Sequence, residues 1–284
     1  MYTTKLIRES WLGDKVNRVA FLTTVFPMNI SFLKEMLDSL VLQSFKSFDL
    51  IVVNDGLDEF DSIAKNYKGA LNIVEIKGVN SPAKNREIGI NYCIDSGYEF
   101  LVFGDSDDRF AKNRISLSLE KLKSADIIVN DLTLFDSNGV LETGYLSNRV
   151  LNDQIIEFEF IKDKNIFGLT NTSVRLNNFS KVEFPIDLVA IDWYFFSLML
   201  LEEKIAVFSN ETISYYRQHN RNMVGFKSKS KDSREFIAKV KKLHYKALKA
   251  HTNKVDSECT KYLSDDVNVK RESKTKSPLW WELA

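Results

Sequence analysis

The chain has 284 residues, 44% of them hydrophobic, enough for one large α/β domain with an extension or for two small domains. Lys plus Arg and Asp plus Glu both number 39, and this cancelled charge excludes a whole-surface nucleic-acid binder, which carries a clear basic excess. Cys93 and Cys259 have no CxxC spacing, the first residues lack the apolar stretch of a signal peptide, and no apolar run nears the ~18 residues that cross a bilayer; a soluble, cytoplasmic chain with free thiols is expected.

Residues 18–25 (RVAFLTTV) read as a buried strand, broken by Phe26-Pro27-Met28-Asn29. Phe32, Leu33, Met36, Leu37, Leu40 and Val41 then recur at helical spacing, with Ser31 expected as the N-cap. A second strand, Phe48 to Val53, ends in the turn signal Asn54-Asp55-Gly56. A helix over Glu59–Tyr67 and a strand over Leu71–Ile76 follow. After the Ser81-Pro82 break come a helix over Lys84–Ser96 and a strand over Tyr98–Phe103. Next are a helix over Arg114–Lys123, a strand over Asp126–Asp131, a hairpin or loop through Asp153, and a strand region over Ile166–Arg175. Asp192 opens the apolar helix DWYFFSLMLLEE. Ile205–Phe208 and Thr212–Arg217 read as two short strands, and residues 232–251 as a charged amphipathic helix with His244 and His251 at the surface.

Alternation of apolar strands and helices predicts crossovers onto a mostly parallel sheet, whose ligands bind beyond the carboxyl ends of the strands. Three polar clusters fall at such ends: Thr23-Thr24, Asn54-Asp55-Gly56 and Asp105-Ser106-Asp107-Asp108. Carboxylates this crowded repel one another unless a cation neutralises them. A divalent ion with hard oxygen ligands, bridged to a diphosphate, would do so. The plain alternative is a solvated acidic turn capping the next helix.

The opening through VVNDG, SPAKNREIGI (Lys84 where Arg is usual, Asn85 retained) and FLVFGDSDDRF resemble, in that order, family 2 glycosyltransferases of the GT-A fold. The likeness includes Leu40 and Gln43 in the first helix and extends over roughly residues 18–225. It implies a GT-A catalytic domain over residues 1–225, with a nucleotide-binding half at about 18–131 and an acceptor half at about 132–225. Residues 226–284 would form a helical C-terminal extension and tail. It further implies that the backbone around Thr23 and Val25 lines the base pocket, Asp55 meets base or ribose, Lys84 approaches the diphosphate, Asp105 binds ribose or metal-bound water, and Ser106 touches the nucleotide sugar. Asp107 would coordinate Mn2+ or Mg2+. In the segment YYRQHN, Arg217 is expected to pair with phosphate or with a carboxylate, and His219 to be a metal ligand or diphosphate contact. Asp192 is the expected base that takes the acceptor proton; it could instead cap its helix, and Asp187 is its rival.

The expected partners are a nucleotide sugar, UDP-linked by default, and a glycan or lipid-linked saccharide, in surface-polysaccharide synthesis by the family's habit. The lysine-rich stretch 227–249 and Leu279-Trp280-Trp281 suit peripheral contact with the inner face of the cell membrane. The favoured reading is the plainer one, a solvated helix with a tail packed on the domain or on a second copy in a homo-oligomer. Two other functions fit less well. A sugar-phosphate nucleotidyltransferase would open on a glycine-rich phosphate loop, and Thr23–Ile30 holds no glycine. A binding module that has lost activity would tolerate Asn54-Asp55-Gly56-Leu57 where the family it resembles carries Asp-Asp-Gly-Ser.

Overall fold

The computed structural model describes residues 18–177, 179–219 and 231–252. β1 (Val19–Val25) is buried at every position, so its side chains are almost continuously apolar rather than alternating. α1 (Ile30–Val41) buries Leu33, Met36, Leu37 and Leu40, the spacing of one helical face. Its cap is Asn29 rather than Ser31: Asn29 Oδ1 accepts the Ser31 N–H at 3.0 Å and the Ser31 hydroxyl at 2.8 Å. The short amide side chain reaches the orphan N–H two residues on, so the helix begins before the expected serine.

β2 (Asp49–Asn54), α2 (Phe60–Ala64, continued by a 3-10 turn), β3 (Asn72–Lys77), α3 (Pro82–Asp95) and β4 (Phe100–Phe103) follow. The Ser81-Pro82 pair starts α3, with Ser81 as cap and Pro82 in the first turn. β3, β2, β1 and β4 lie side by side and parallel. A Cβ on Gly89 of α3 would lie 2.6 Å from Leu22 Cδ1 and 3.1 Å from Val53 Cγ2, so glycine lets this helix press onto β1 and β2.

Next are β5 (Arg109–Phe110), α4 (Arg114–Lys121), β6 (Ile127–Asp136), β7 (Gly139–Glu142) and β8 (Ile155–Ile156). The chain then forms α5 (Phe158–Ile161), β9 (Thr172–Arg175), α6 (Ile191–Leu201), β10 (Ala206–Arg217) and α7 (Lys231–Lys249). The sheet runs β3-β2-β1-β4-β9-β6-β10-β5, with β7 on β6 and β8 on β10. Parallel pairing holds through β4 and again between β6 and β10, whereas β9 is antiparallel to both β4 and β6. β6 is ten residues long and runs past Asp131 into the β6–β7 hairpin. The two short strands expected near the end are one strand, β10, whose register shifts between Ser209 and Ile213.

The sheet has a core on each face. Phe21, Leu50, Val52 and Val102 meet α1 and α4; Ala20, Leu22, Ile51, Val53, Leu101 and Phe103 meet α3 and α6. α6 is apolar all round and needs a cover on its far side. α7 supplies it with Val240, Tyr245 and Leu248. His244, expected at the surface, is fully buried there, because the docked stripe of α7 passes through it; His251 is exposed as expected. Among the described residues no helix is long and apolar enough to cross a membrane. Cys259, the tail at Leu279-Trp280-Trp281, and Lys227 lie outside the described residues.

Candidate active site

β1 sits between β2 and β4, so the three polar clusters meet at one edge of the sheet. Val25 is in register with Asn54 and Leu22 with Phe103. The Asp55 N–H donates to Val25 O at 2.7 Å and the Gly104 N–H to Leu22 O at 3.1 Å. Thr23 and Thr24 are buried at this edge, and their hydroxyls lack a hydrogen-bond partner. Asp55 Oδ1 accepts the Asn80 N–H at 2.6 Å, which ties the β2 turn to the β3–α3 loop. Asn54, which replaces an acid in the family pattern, folds that turn: Nδ2 donates to Glu75 Oε1 at 2.7 Å, and Oδ1 accepts from Leu57 N at 2.8 Å.

The acidic cluster is divided by environment. Asp105 Oδ1 accepts from Arg86 Nη2 at 2.8 Å. Burial pushes the Asp105 carboxyl above its ordinary range; Arg86 opposes the shift and Asp107 adds to it. Ser106 is buried. Asp107, 26% of whose side chain is exposed, holds His219 Nε2 at 2.8 Å from its Oδ2. Asp108 is fully buried and accepts the Arg217 N–H at 2.7 Å. Burial first, then Asp107 and Asp105, lift its carboxyl well above the usual range.

Arg217 sits behind the cluster. Its Nε donates to the Asp107 main-chain oxygen at 2.6 Å and its Nη2 to Glu35 Oε2 at 2.7 Å. Its guanidinium lies between the rings of Phe32 and Phe135, 4.2 and 4.4 Å from their centroids. Of the two partners open for Arg217, the structure shows the carboxylate, and the side chain, from the end of β10, ties the Asp107–Asp108 turn to Glu35 of α1. Lys84, expected at the diphosphate, is spanned by Glu87 at 2.8 and 3.0 Å, and Arg86, two residues on, is the cation beside the aspartates. Helical residues two apart point to nearly opposite sides, about 200° apart, and the sequence alone did not show which of the two cations faces the aspartates.

Asp192 lies in the first turn of α6 without capping it, and its Oδ1 accepts its neighbour's Trp193 N–H at 2.7 Å. Burial raises its carboxyl to about 6. The Trp193 N–H and the Asn165 side chain oppose the rise, Asp105 adds to it, and Arg86 eases it. The charges of Asp105 and Arg86 thus reach Asp192, which puts the first turn of α6 near that ion pair. Asp187, the rival base, lies in an exposed turn. Tyr216 was missed: burial, followed by the charges of Asp108, Asp105 and Asp107, raises its phenol. Among the described residues no three His, Cys, Asp or Glu side chains form a metal cage. Asp107 and His219 are the adjacent pair that could hold a cation, provided that substrate oxygens and water complete its shell.

The model of glycosyl transferase family 2 matches residues 28–178, more than half of the chain. The chain belongs to glycosyl transferase family 2. This family 2 chain is 26% identical over 214 residues to glycosyltransferase GlyA of Streptococcus pneumoniae serotype 4, a match spanning 69% of the chain and 30% of GlyA. It is 30% identical over 98 residues to an uncharacterized glycosyltransferase of Rickettsia felis, covering 33% of the chain and 15% of that relative. The chain thus spans less than a third of the length of the curated relatives it matches. Its fold matches S. aureus TarS 1-349 in complex with UDP-GlcNAc at TM-score 0.63 and 18% identity, over 87% of this chain and 70% of that one. The same protein in complex with UDP matches at TM-score 0.61 and 17% identity, over 87% of this chain and 69% of that one. This family 2 chain therefore has the mixed α/β architecture with a curled central sheet expected for GT-A.

Proposed function

We propose that the chain transfers a glycosyl group from a nucleoside diphosphate sugar, UDP-linked by default, to a hydroxyl of a glycan or lipid-linked saccharide. The observation that carries this reading is Asp192: a carboxyl lifted to about 6, on the first turn of α6, under the influence of Asp105 and Arg86. A carboxylate with that proton affinity accepts the acceptor hydroxyl proton near neutral pH while the oxygen attacks the anomeric carbon. Direct displacement of the diphosphate then inverts that carbon. Thr23, Val25 and Asp55 hold the nucleoside at the edge of β1 and β2. Asp105, oriented by Arg86, and Ser106 meet the donor between the nucleoside and the reacting carbon. Asp107 and His219 would hold Mn2+ or Mg2+, which, when bound, neutralises charge on the departing diphosphate. Arg217 keeps Asp107 in place from behind. The UDP-GlcNAc and UDP complexes of the fold neighbour TarS support a UDP donor.

The exposed residues of α7 include Lys239, Lys246 and Lys249, a basic face opposite the docked one. That face supports peripheral contact with an anionic, cytoplasmic membrane surface, where a lipid-linked acceptor would be met.

The test is thermal stabilisation by UDP, GDP and dTDP, each with and without Mn2+, followed by hydrolysis of the matching sugar nucleotide. Metal-dependent stabilisation by one nucleotide and loss of hydrolysis in Asp107→Ala are expected. Binding without any turnover would instead leave a nucleotide-sugar-binding relic, and full turnover in Asp192→Asn would remove the base assignment.

A further inference from the structure

The segment between Phe179 and Ala190 has no helix or strand of its own, yet it delivers α6 and Asp192 to the cleft. α3 grips it twice. Glu87 Oε2 accepts the Phe184 N–H at 2.7 Å while its carboxylate also holds Lys84. Asn91, one turn further along α3, donates to Val182 O at 2.9 Å and accepts the Val182 N–H at 2.8 Å. The spacing matches by geometry: four helical residues advance about 6 Å, and two residues of extended chain advance about 6.6 Å. Glu87 and Asn91 can therefore meet residues two apart on a segment running against the helix. Phe184, the residue that Glu87 holds, is buried against Tyr194 and Phe195 of α6, with ring centroids 6.5 and 5.9 Å away. The same helix carries Arg86, which holds Asp105.

We propose that Glu87 is a positioning residue for transfer: through the Phe184 N–H it locks the segment before α6 to α3, and so sets Asp192 against the Arg86–Asp105 pair that faces the donor. A carboxylate suits this role because it accepts from the backbone N–H and from Lys84 at once, and charge-assisted bonds are the stronger kind. Lys84 neutralises Glu87 beside the acidic cluster. This inference rests on the assignment of Asp192 as base.

The experiment compares wild type, Glu87→Ala, Glu87→Gln and Asp192→Asn in hydrolysis of the sugar nucleotide selected by the stabilisation screen, with UDP binding in Mn2+ measured alongside. In Glu87→Ala, kcat is expected to fall about tenfold or more, since a misplaced base loses rate steeply. Its KM for the donor and its UDP binding should stay within about twofold, because the nucleoside edge at β1 and β2 is untouched. Glu87→Gln, whose amide oxygen still accepts from Phe184, should recover most of kcat. The acid limb of the kcat–pH profile should move in Glu87→Ala and return in Glu87→Gln. The inference is overturned if Glu87→Ala keeps wild-type kcat, if kcat and UDP binding fall together, or if Glu87→Gln is no better than Glu87→Ala. With Asp192→Asn inactive and Glu87→Ala fully active, the positioning role alone fails; with Asp192→Asn fully active, the base assignment fails and this inference with it.

Discussion

Trp193 and His244 lie face to face, their ring centroids 3.8 Å apart and their planes 12° from parallel. Trp193 follows Asp192 and anchors α6 through an Nε1–H bond to Ile161 O at 2.8 Å, so the stack ties α7 to the helix that carries the proposed base. Both His244 ring nitrogens are buried without a hydrogen-bond partner, and burial lowers its pKa from 6.5 to about 3.

The folded chain thus keeps His244 neutral where the unfolded chain would protonate it. This contribution to stability is complete above pH 6.5 and is lost progressively as pH falls from there toward 3. At about pH 5 it amounts to about 2 kcal/mol lost. His244→Phe keeps a flat ring against Trp193 and removes the titration. Urea unfolding at about pH 5 and pH 8 should show a smaller acid loss in this variant than in wild type.

Asp192 has the opposite sign. Its folded carboxyl is raised from 3.8 to about 6, so between these values the folded state holds a proton that the unfolded state has released. Stability from this group falls as pH rises through that window and stays reduced above it. Asp192→Asn removes a cost on the order of 3 kcal/mol at pH 7.5 and little at pH 4. The variant is expected to melt higher than wild type at neutral pH while losing turnover. Wild-type kcat should rise with pH through about 6.

Gly104 joins β4 to the acidic turn with Phe21 and Phe110 against its Cα; a Cβ there would lie 2.5 Å from Phe110 Cζ and closer still to Phe21. Both rings are core residues in an edge-to-face pair with centroids 5.1 Å apart, and neither can swing away. Gly104→Ala is expected to destabilise the chain by about 1–3 kcal/mol or to displace the turn. Either result would show as a lower melting temperature together with weakened Mn2+-dependent nucleotide binding.

Arg217 bonds at once to the Asp107 main-chain oxygen, through Nε, and to Glu35, through Nη2. Lysine has one nitrogen head and no planar fork, so Arg217→Lys should rescue little of what Arg217→Ala loses. We expect a loss of about 1–3 kcal/mol of stability in both variants. Nucleotide binding in Mn2+ should suffer more than metal-free nucleotide binding, since the clamp acts on Asp107.

Much of the donor half was written in local pattern. Apolar runs of strand length ending in Thr23-Thr24, Asn54-Asp55 and Asp105–Asp108 determine by themselves that these clusters meet at one sheet edge, because parallel strands share a direction. The apolar helix beginning near Asp192 and the amphipathic one after it were equally legible from their spacing. Tertiary structure alone decided which groups pair. Arg86 rather than Lys84 faces Asp105, Glu35 takes Arg217 from 182 positions away, and His244 turns inward onto Trp193. The antiparallel insertion of β9 between β4 and β6 was likewise invisible, since a strand's own residues read the same in either direction. Periodicity belongs to a residue and its neighbours along the chain; a partner is chosen only when two surfaces distant in sequence are pressed together, and burial then fixes which charges must find each other.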